Sequence, residues 1–269
     1  SPVEAMRRRA AGVTASAPGL LPVSPARDEI SRLAVTLNDM LSRLQAALDH
    51  ERRFVADASH ELRTPVALLR TELELALRRP RSPEELRLAI QSALDETVRL
   101  SRLADDLLLL ARAEEGSMPM RTERTELAEL FEGVAVRFAN RARETGRHVR
   151  ALPTNDFVDG DPVRLEQALD NLVENALTHG EGQVEIFAAG NDGVVELHVR
   201  DHGPGFDDEF LLRAFDRFSR ADEARGQAGA GLGLSIVQLI AQIHGGSVGA
   251  ANRPDGGADV WLAVRRSVS

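Results

Sequence analysis

Apolar residues in the first third of the chain recur at steps of three and four. Ile30, Leu33, Leu37, Leu41, Leu44 and Leu48 make one stripe, the period of a helix that hides a single face. With Asp28 as N-cap, this helix continues through a segment containing Pro65 to about Arg79. After the turn "RPRSP" (79–83), Ser82 caps a second helix with Pro83 at its first position. Leu86, Ile90, Leu94, Val98, Leu103 and Leu107 carry its apolar face to about Ala113. One helix cannot bury so long a seam. Two helices joined by a short turn make an antiparallel hairpin, and two hairpins make a four-helix bundle. Upstream, residues 3–13 read as a short Arg-rich amphipathic helix, and "TASAPGLLPVSPAR" (14–27) as a stretch with too many breakers to be helical throughout.

"EEGSMP" (114–119) reads as a linker, and beyond about residue 120 the pattern changes. A helix at 126–145 precedes strand-like "HVRAL" (148–152). Asp161 caps a further helix, with Pro162 at its first position and Gly180 as its stop. Strands at about 183–189 and 194–200, a helix at 232–243 and a closing hairpin at about 247–264 complete an α+β sandwich of one sheet and one helical layer.

Composition narrows the function more than the fold. A net charge of −9 argues against nucleic acid or an anionic lipid surface as the main partner. Cysteine is absent, so disulfides and thiolate metal sites are excluded. Every cationic side chain is Arg; there is no Lys. No apolar run reaches the ~18 residues needed to span a bilayer. The opening "SPVEAMRRRAAG" looks like a start partway through a longer protein.

Four patterns carry chemistry. "SHELRTPVALL" (59–69) places His60, Glu61 and Thr64 on one helix turn and then Pro65. A proline in a helix interior costs roughly 3 kcal/mol and leaves the Glu61 carbonyl without its donor. "NLVENALTHG" (171–180) gathers Arg164, Gln167, Asn171, Glu174, Asn175 and Thr178 on one face of its helix. That is either a wetted face or a set of carboxamides suited to a hard cation whose shell is completed by water and phosphate. "VRDHGPGF" (199–206) ends a strand on Asp201 with Gly203 and Gly205 beyond it, either a plain tight turn or a fixed carboxylate beside bare backbone. "GAGLGLSIV" (229–237) sets Gly229, Gly231 and Gly233 before a helix start, where free amides attract an anion. Its spacing is not the dinucleotide fingerprint, and without Lys it is no P-loop. Between the last two, "FDRFSRADEARGQA" (215–228) reads as a glycine-hinged lid whose Arg217 and Arg220 reach toward a polyphosphate.

In this order the patterns resemble the bacterial sensor histidine kinases of two-component systems, whose ATPase domain is like that of gyrase. The resemblance covers nearly the whole chain. It implies a multidomain protein: a helical HAMP relay at 1–50, a dimerisation and phosphotransfer hairpin at 51–115, and an α/β (α+β) ATP-binding domain at 120–268. It implies His60 as phosphoacceptor with Glu61 as its base or orienter, and Thr64 in dephosphorylation of the regulator. Asn171 and Asn175 would face Mg2+ and the phosphates of ATP, with His179 beside them. Asp201 would accept from the adenine amino group, with Gly203 and Gly205 lining that end. Phe215 and Phe218 would anchor the lid, with Arg217 and Arg220 at the phosphates. Gly229, Gly231, Gly233 and Leu234 would wrap the phosphates. One departure stands out: Thr178 occupies a position where the family often has Lys, so Arg217 or Arg220 is expected to supply that charge. The partners implied are a second copy of the chain and a cognate response regulator, with no nucleic acid. The setting implied is the cytoplasmic portion of an inner-membrane protein, anchored by a segment absent from this chain and expected just before Ser1. A nucleotide-binding dimeric scaffold without kinase activity is the alternative, against which the intact Asn and Gly motifs speak. An ATP-driven clamp of the same domain type is another, against which the His-bearing hairpin speaks.

Overall fold

A computed structural model describes residues 29–78, 82–114, 118, 120–191, 193–220 and 230–267. The expected helix at 3–13, the linker after it, the Asp28 cap, most of the 79–83 turn and the 114–119 linker, Gly229 and most of the lid lie outside the described residues. The chain divides into two units, residues 1–97 and 98–269.

The first unit is helical. Helix α1 spans Glu29–Leu77 with Pro65 inside it. Helix α2, Pro83–Glu114, begins in this unit and ends in the next. Its start is a reciprocal cap: Glu85 N–H donates to Ser82 Oγ at 3.2 Å, and Ser82 N–H donates to a Glu85 carboxylate oxygen at 2.8 Å. The apolar stripes read from the sequence are laid out on these helices and much of them is left open, although Leu103 is buried. Leu33, Leu44, Val55, Val66, Ile90 and Leu94 are all exposed. Among the described residues no helix is long and apolar enough to cross a membrane.

The second unit is the sandwich. Strand β1 (Glu123–Glu126) pairs antiparallel with β3 (Phe157–Gly160) in a small ribbon. The main sheet holds β2 (Val149–Ala151), β4 (Val184–Asn191), β5 (Val194–Arg200), β6 (Ser247–Asn252) and β7 (Ala258–Arg265) in the order β2-β4-β5-β7-β6. Only β2 and β4 run parallel, joined through helix α4 (Pro162–His179). Helices α3 (Leu127–Glu144), α4 and α6 (Gly233–Ile243) form the helical layer. Alternation along the strands decides which side chains meet it. Ile186, Leu197 and Leu262 point inward with Leu165, Leu169 and Ile240 and are fully buried. Each such side chain contributes roughly 1.5–3 kcal/mol over an exposed one. The opposite face carries a stacked row across the register Phe187, His198 and Trp261.

The α4 bounds follow from its ends. The Asp161 carboxylate accepts from the Val163 and Arg164 amides, Pro162 needs no donor, and Gly180 closes the last turn on the Ala176 carbonyl. This helix and the β5 end set the floor and wall of the cleft described next. Three elements were not expected from the sequence: the paired strands β1 and β3, and the one-turn helix α5 at Asp208–Leu211.

Candidate functional site

On α1, His60 is exposed, Glu61 half-buried and Thr64 exposed one turn further on. The helix stays continuous across Pro65. Thr64 Oγ1 donates to the His60 carbonyl at 3.4 Å, a long contact that leaves the Glu61 carbonyl unserved. Adjacent helical residues do not face one another, and among the described residues no hydrogen bond joins His60 to Glu61. The imidazole therefore stands clear of its neighbours, open to a reaction partner.

In the second unit Asp201 ends β5 and is buried. Its Oδ1 accepts from the Gly203 amide at 2.7 Å and from the Ala258 amide at 3.4 Å. Its Oδ2 receives no hydrogen bond among the described residues. The carboxylate lies against bare backbone: a Cβ on Gly180 would meet its Cγ at 2.4 Å, and one on Gly203 would meet the Gly180 Cα at 2.7 Å. Gly205 follows in the same loop, close to the Asn252 side chain. A buried carboxylate with one oxygen pinned by amides and one spare is a directional acceptor for a flat ligand carrying N–H groups.

Farther along α4 the half-buried Asn171 leaves its Nδ2 buried and unpartnered, with Asn175 one turn on. A Cβ added to Gly233, the first residue of α6, would meet the Asn171 side chain at 3.7 Å. That helix starts without a side-chain cap and with no acidic residue in its first turn. Its positive end and free amides are therefore available to an anion. Leu234, buried behind this turn, packs into the core.

Phe215 and Phe218 are half-buried at the base of the lid. Phe218 has φ 60°, a left-handed conformation that a bulky residue adopts only under constraint. The constraint is visible: its amide donates to the Gly231 carbonyl at 2.9 Å. Gly231 itself has φ +69°, and a Cβ there would meet Phe218 C and Ser219 O at 2.8 Å. The motif glycine therefore makes room for the lid's own backbone, a tighter demand than the approach of a phosphate that the sequence suggested.

Beside this turn Arg220 Nε and Ser219 Oγ are buried without partners among the described residues. Arg220 also acts on His179: partial burial first, then the guanidinium charge, hold that imidazole below its ordinary value, against an opposing pull from Asp201. At the Thr178 position a cation does stand near. Arg141 of α3 pairs with Glu174, and its second nitrogen lies 3.5 Å from Thr178 Oγ1. Asp201, His179, Arg220, Asn171, Phe218, Gly231 and Gly233 are thus brought into one cleft of the second unit, whereas His60, Glu61 and Thr64 belong to the helical unit.

Three residues that the sequence did not single out hold the cleft in shape. Asn252 grips the Asp201 loop by accepting from the Phe206 amide at 2.6 Å and donating to its carbonyl at 2.8 Å. Arg253 donates to the Asp201 carbonyl at 2.8 Å. Arg147 donates to carbonyls of the α4 end and its exit loop, from Ala176 to Gly182, which lie against Asp201. All three bond to backbone, so nothing in local spacing announces them.

Comparison with known proteins agrees with this geometry. Residues 160–268 match the model of the histidine kinase-, DNA gyrase B- and HSP90-like ATPases, residues 50–116 the His Kinase A (phospho-acceptor) domain, and residues 3–46 the HAMP domain. The sensor histidine kinase component HK1 of Mycobacterium tuberculosis is 49% identical over 136 residues, 50% of this chain and 78% of that protein. The signal transduction histidine-protein kinase BaeS of Escherichia coli is 36% identical over 244 residues, 88% of this chain and 51% of that protein. A solved structure of the Acinetobacter baumannii histidine kinase AdeS superposes with a TM-score of 0.62 at 25% identity, covering 77% of this chain and 97% of that one. The chain spans about half the length of most of the curated relatives it matches.

Proposed function

This chain belongs to the sensor histidine kinases, and we propose that its part in their chemistry is to bind Mg·ATP in the second unit, phosphorylate His60, and pass the phosphoryl group to an aspartate of a response regulator. The observation that carries this reading is the Asp201 carboxylate, pinned by backbone on one oxygen, spare on the other, and pressed against bare Gly180. That arrangement suits the 6-amino group of adenine. At the other end, the unpartnered Asn171 amide, the start of α6 and the orphaned Arg220 and Ser219 atoms face where a polyphosphate would extend.

Magnesium fits the residues present. Among the described residues no group of three or more His, Asp or Glu could hold a metal alone, which suits an ion that takes few protein ligands and completes its shell with water and phosphate. Asn171 and Asn175 would hold it, a rotation of either amide exchanging oxygen for nitrogen. When bound, the ion offsets charge on the phosphate oxygens.

Phosphoryl transfer needs an in-line nucleophile and charge stabilisation. A neutral imidazole supplies the free nitrogen. That nitrogen bonds to the γ-phosphorus as the bond to the ADP oxygen breaks, and the proton on the other nitrogen is lost to a base. Glu61 serves as that base after a rotation of His60. Pairing of the open stripe on α1 and α2 with a second copy supports a homodimer, to be seen as twice the chain mass in light scattering. The HAMP match supports membrane association, which fractionation of cells expressing the protein tests.

The deciding experiment is incubation with γ-labelled Mg·ATP. Label that is acid-labile, base-stable and lost in His60→Gln supports the kinase. Nucleotide binding without label would favour the scaffold.

A further inference from the structure

The Arg147 side chain lies at the exit of α3, ahead of β2, and its guanidinium makes four hydrogen bonds to backbone. Nε donates to the Gly182 carbonyl at 2.7 Å. Nη1 donates to Leu177 at 2.9 Å and to Gly180 at 3.0 Å, and Nη2 to Ala176 at 3.1 Å. The last turn of α4 leaves carbonyls without helical donors, and the negative helix end attracts a cation. A planar fork of donors serves several of them at once, which an ammonium cannot. Burial lowers the guanidinium's pKa, while the carboxylates of Asp201 and Glu181 favour its charged form.

The loop so held is the floor beneath Asp201. Between the two gripped glycines the Glu181 carbonyl accepts from the His202 amide at 2.9 Å, and just beyond them the Gln183 carbonyl bonds His202 Nδ1 at 3.0 Å. Gly180 is the residue whose bare Cα face touches both Asp201 and Gly203. A small drift of residues 180–182 would therefore move the acceptor itself.

We propose that Arg147 is a positioning residue for adenine recognition: it fixes the α4 exit loop so that Asp201 presents its spare oxygen to the base. The proposal rests on the reading of Asp201 as acceptor for the adenine 6-amino group. It sets Arg147 apart from a mere helix cap, which would steady the fold without favouring one base over another.

The test compares ATP with purine riboside triphosphate, which carries hydrogen in place of the 6-amino group, by calorimetry on the whole chain. The wild type should bind ATP more tightly, and Asp201→Asn should erase most of that preference. Arg147→Met should weaken ATP binding about ten-fold and the analogue by less than three-fold, raising KM for ATP while kcat at saturating ATP stays within two-fold. Arg147→Lys, which keeps the charge but not the fork, should fall between and guards against a Met variant that fails to fold. Equal losses for both nucleotides in the Arg147 variants, with Asp201→Asn still erasing the preference for ATP, would overturn the role of Arg147 alone. A wild type that binds both nucleotides equally would instead overturn the adenine reading and the proposal with it.

Discussion

Gly231→Ala is the substitution on which the lid geometry can be tested most sharply. Two costs add. A Cβ at φ +69° places an L-residue in the left-handed region, worth roughly 1–2 kcal/mol. The same Cβ would lie 2.8 Å from Phe218 C and from Ser219 O, both backbone, so neither can swing aside as a side-chain tip would. Relieving that contact means releasing the Phe218 amide from the Gly231 carbonyl, a bond worth about 1 kcal/mol net. The sum is about 2–3 kcal/mol, or ~30- to 150-fold if it appears entirely in nucleotide affinity. Gly233→Ala is the comparison. Its Cβ meets Asn171 only at 3.7–3.9 Å, ordinary contact, and its φ is not positive. Calorimetric titration with Mg·ATP should therefore show a loss at least ten-fold larger for Gly231→Ala, while circular dichroism of the two variants stays alike. If Gly233→Ala proves as damaging, the phosphate and not the lid backbone sets the requirement for glycine, and the steric account is wrong.

Thr64→Ala should keep labelling of His60 within a few-fold but slow dephosphorylation of the cognate regulator by about ten-fold or more, since a positioned water there needs a hydroxyl; equal rates in both proteins would leave Thr64 as a helix residue only. Ser82→Ala should cost about 1 kcal/mol by breaking the reciprocal cap with Glu85, read as a lower urea midpoint, and Glu85→Gln should lose less. Asp106 gives a pH signature: burial, then Asp105, against the pull of Arg102, push its carboxyl from 3.8 up to about 6. The fold binds this proton more tightly than the unfolded chain does, so its contribution to stability is full below about pH 4 and declines as pH rises through about 6. Asp106→Asn should therefore exceed wild type by about 1–2 kcal/mol at pH 8, discounted for partial exposure, and by nothing near pH 4. A pH-independent difference would mean that the carboxyl is not held above its ordinary range.

Elements whose limits are set by local chemistry were legible from the chain. Helix α4 is bounded by an Asp161 cap, Pro162 and a Gly180 stop, three signals within its own sequence, and its observed span coincides with the expected one. Helix α1 declared itself by period, and Pro65 does not interrupt it. Strand β1 did not, because "ERTE" has neither alternation nor β-branched bulk, and its single buried residue is Thr125. Helix α5 is one turn long, too short for any period to register. At the site, residues that present chemistry in a spaced motif could be picked out, whereas Arg147 and Asn252 could not. Each bonds main-chain atoms about 30 to 46 positions away, and a backbone carbonyl leaves no trace in the sequence of its partner.

The two ends of the cleft are built on opposite principles, and this bears on how a nucleotide and the lid become coupled. At the Asp201 end most polar atoms are already satisfied by protein: the carboxylate's Oδ1 by Gly203 and Ala258, the loop after it by Asn252 and Arg253, and the adjoining α4 exit loop by Arg147. Such a site discriminates, because it cannot rearrange to suit a poor ligand. At the Gly231 end the bonds are left unmade. Asn171 Nδ2, Ser219 Oγ and Arg220 Nε are buried without partners among the described residues, and Phe218 sits in a costly conformation with its amide on the Gly231 carbonyl. A buried unsatisfied group costs roughly 1–3 kcal/mol, so a ligand that supplies partners there recovers that free energy. On the proposed reading, the Asp201 end selects the nucleotide and the Gly231 end registers its presence at Phe218–Arg220. A triphosphate and a diphosphate, alike at the base, should differ mainly in what they do to those three residues.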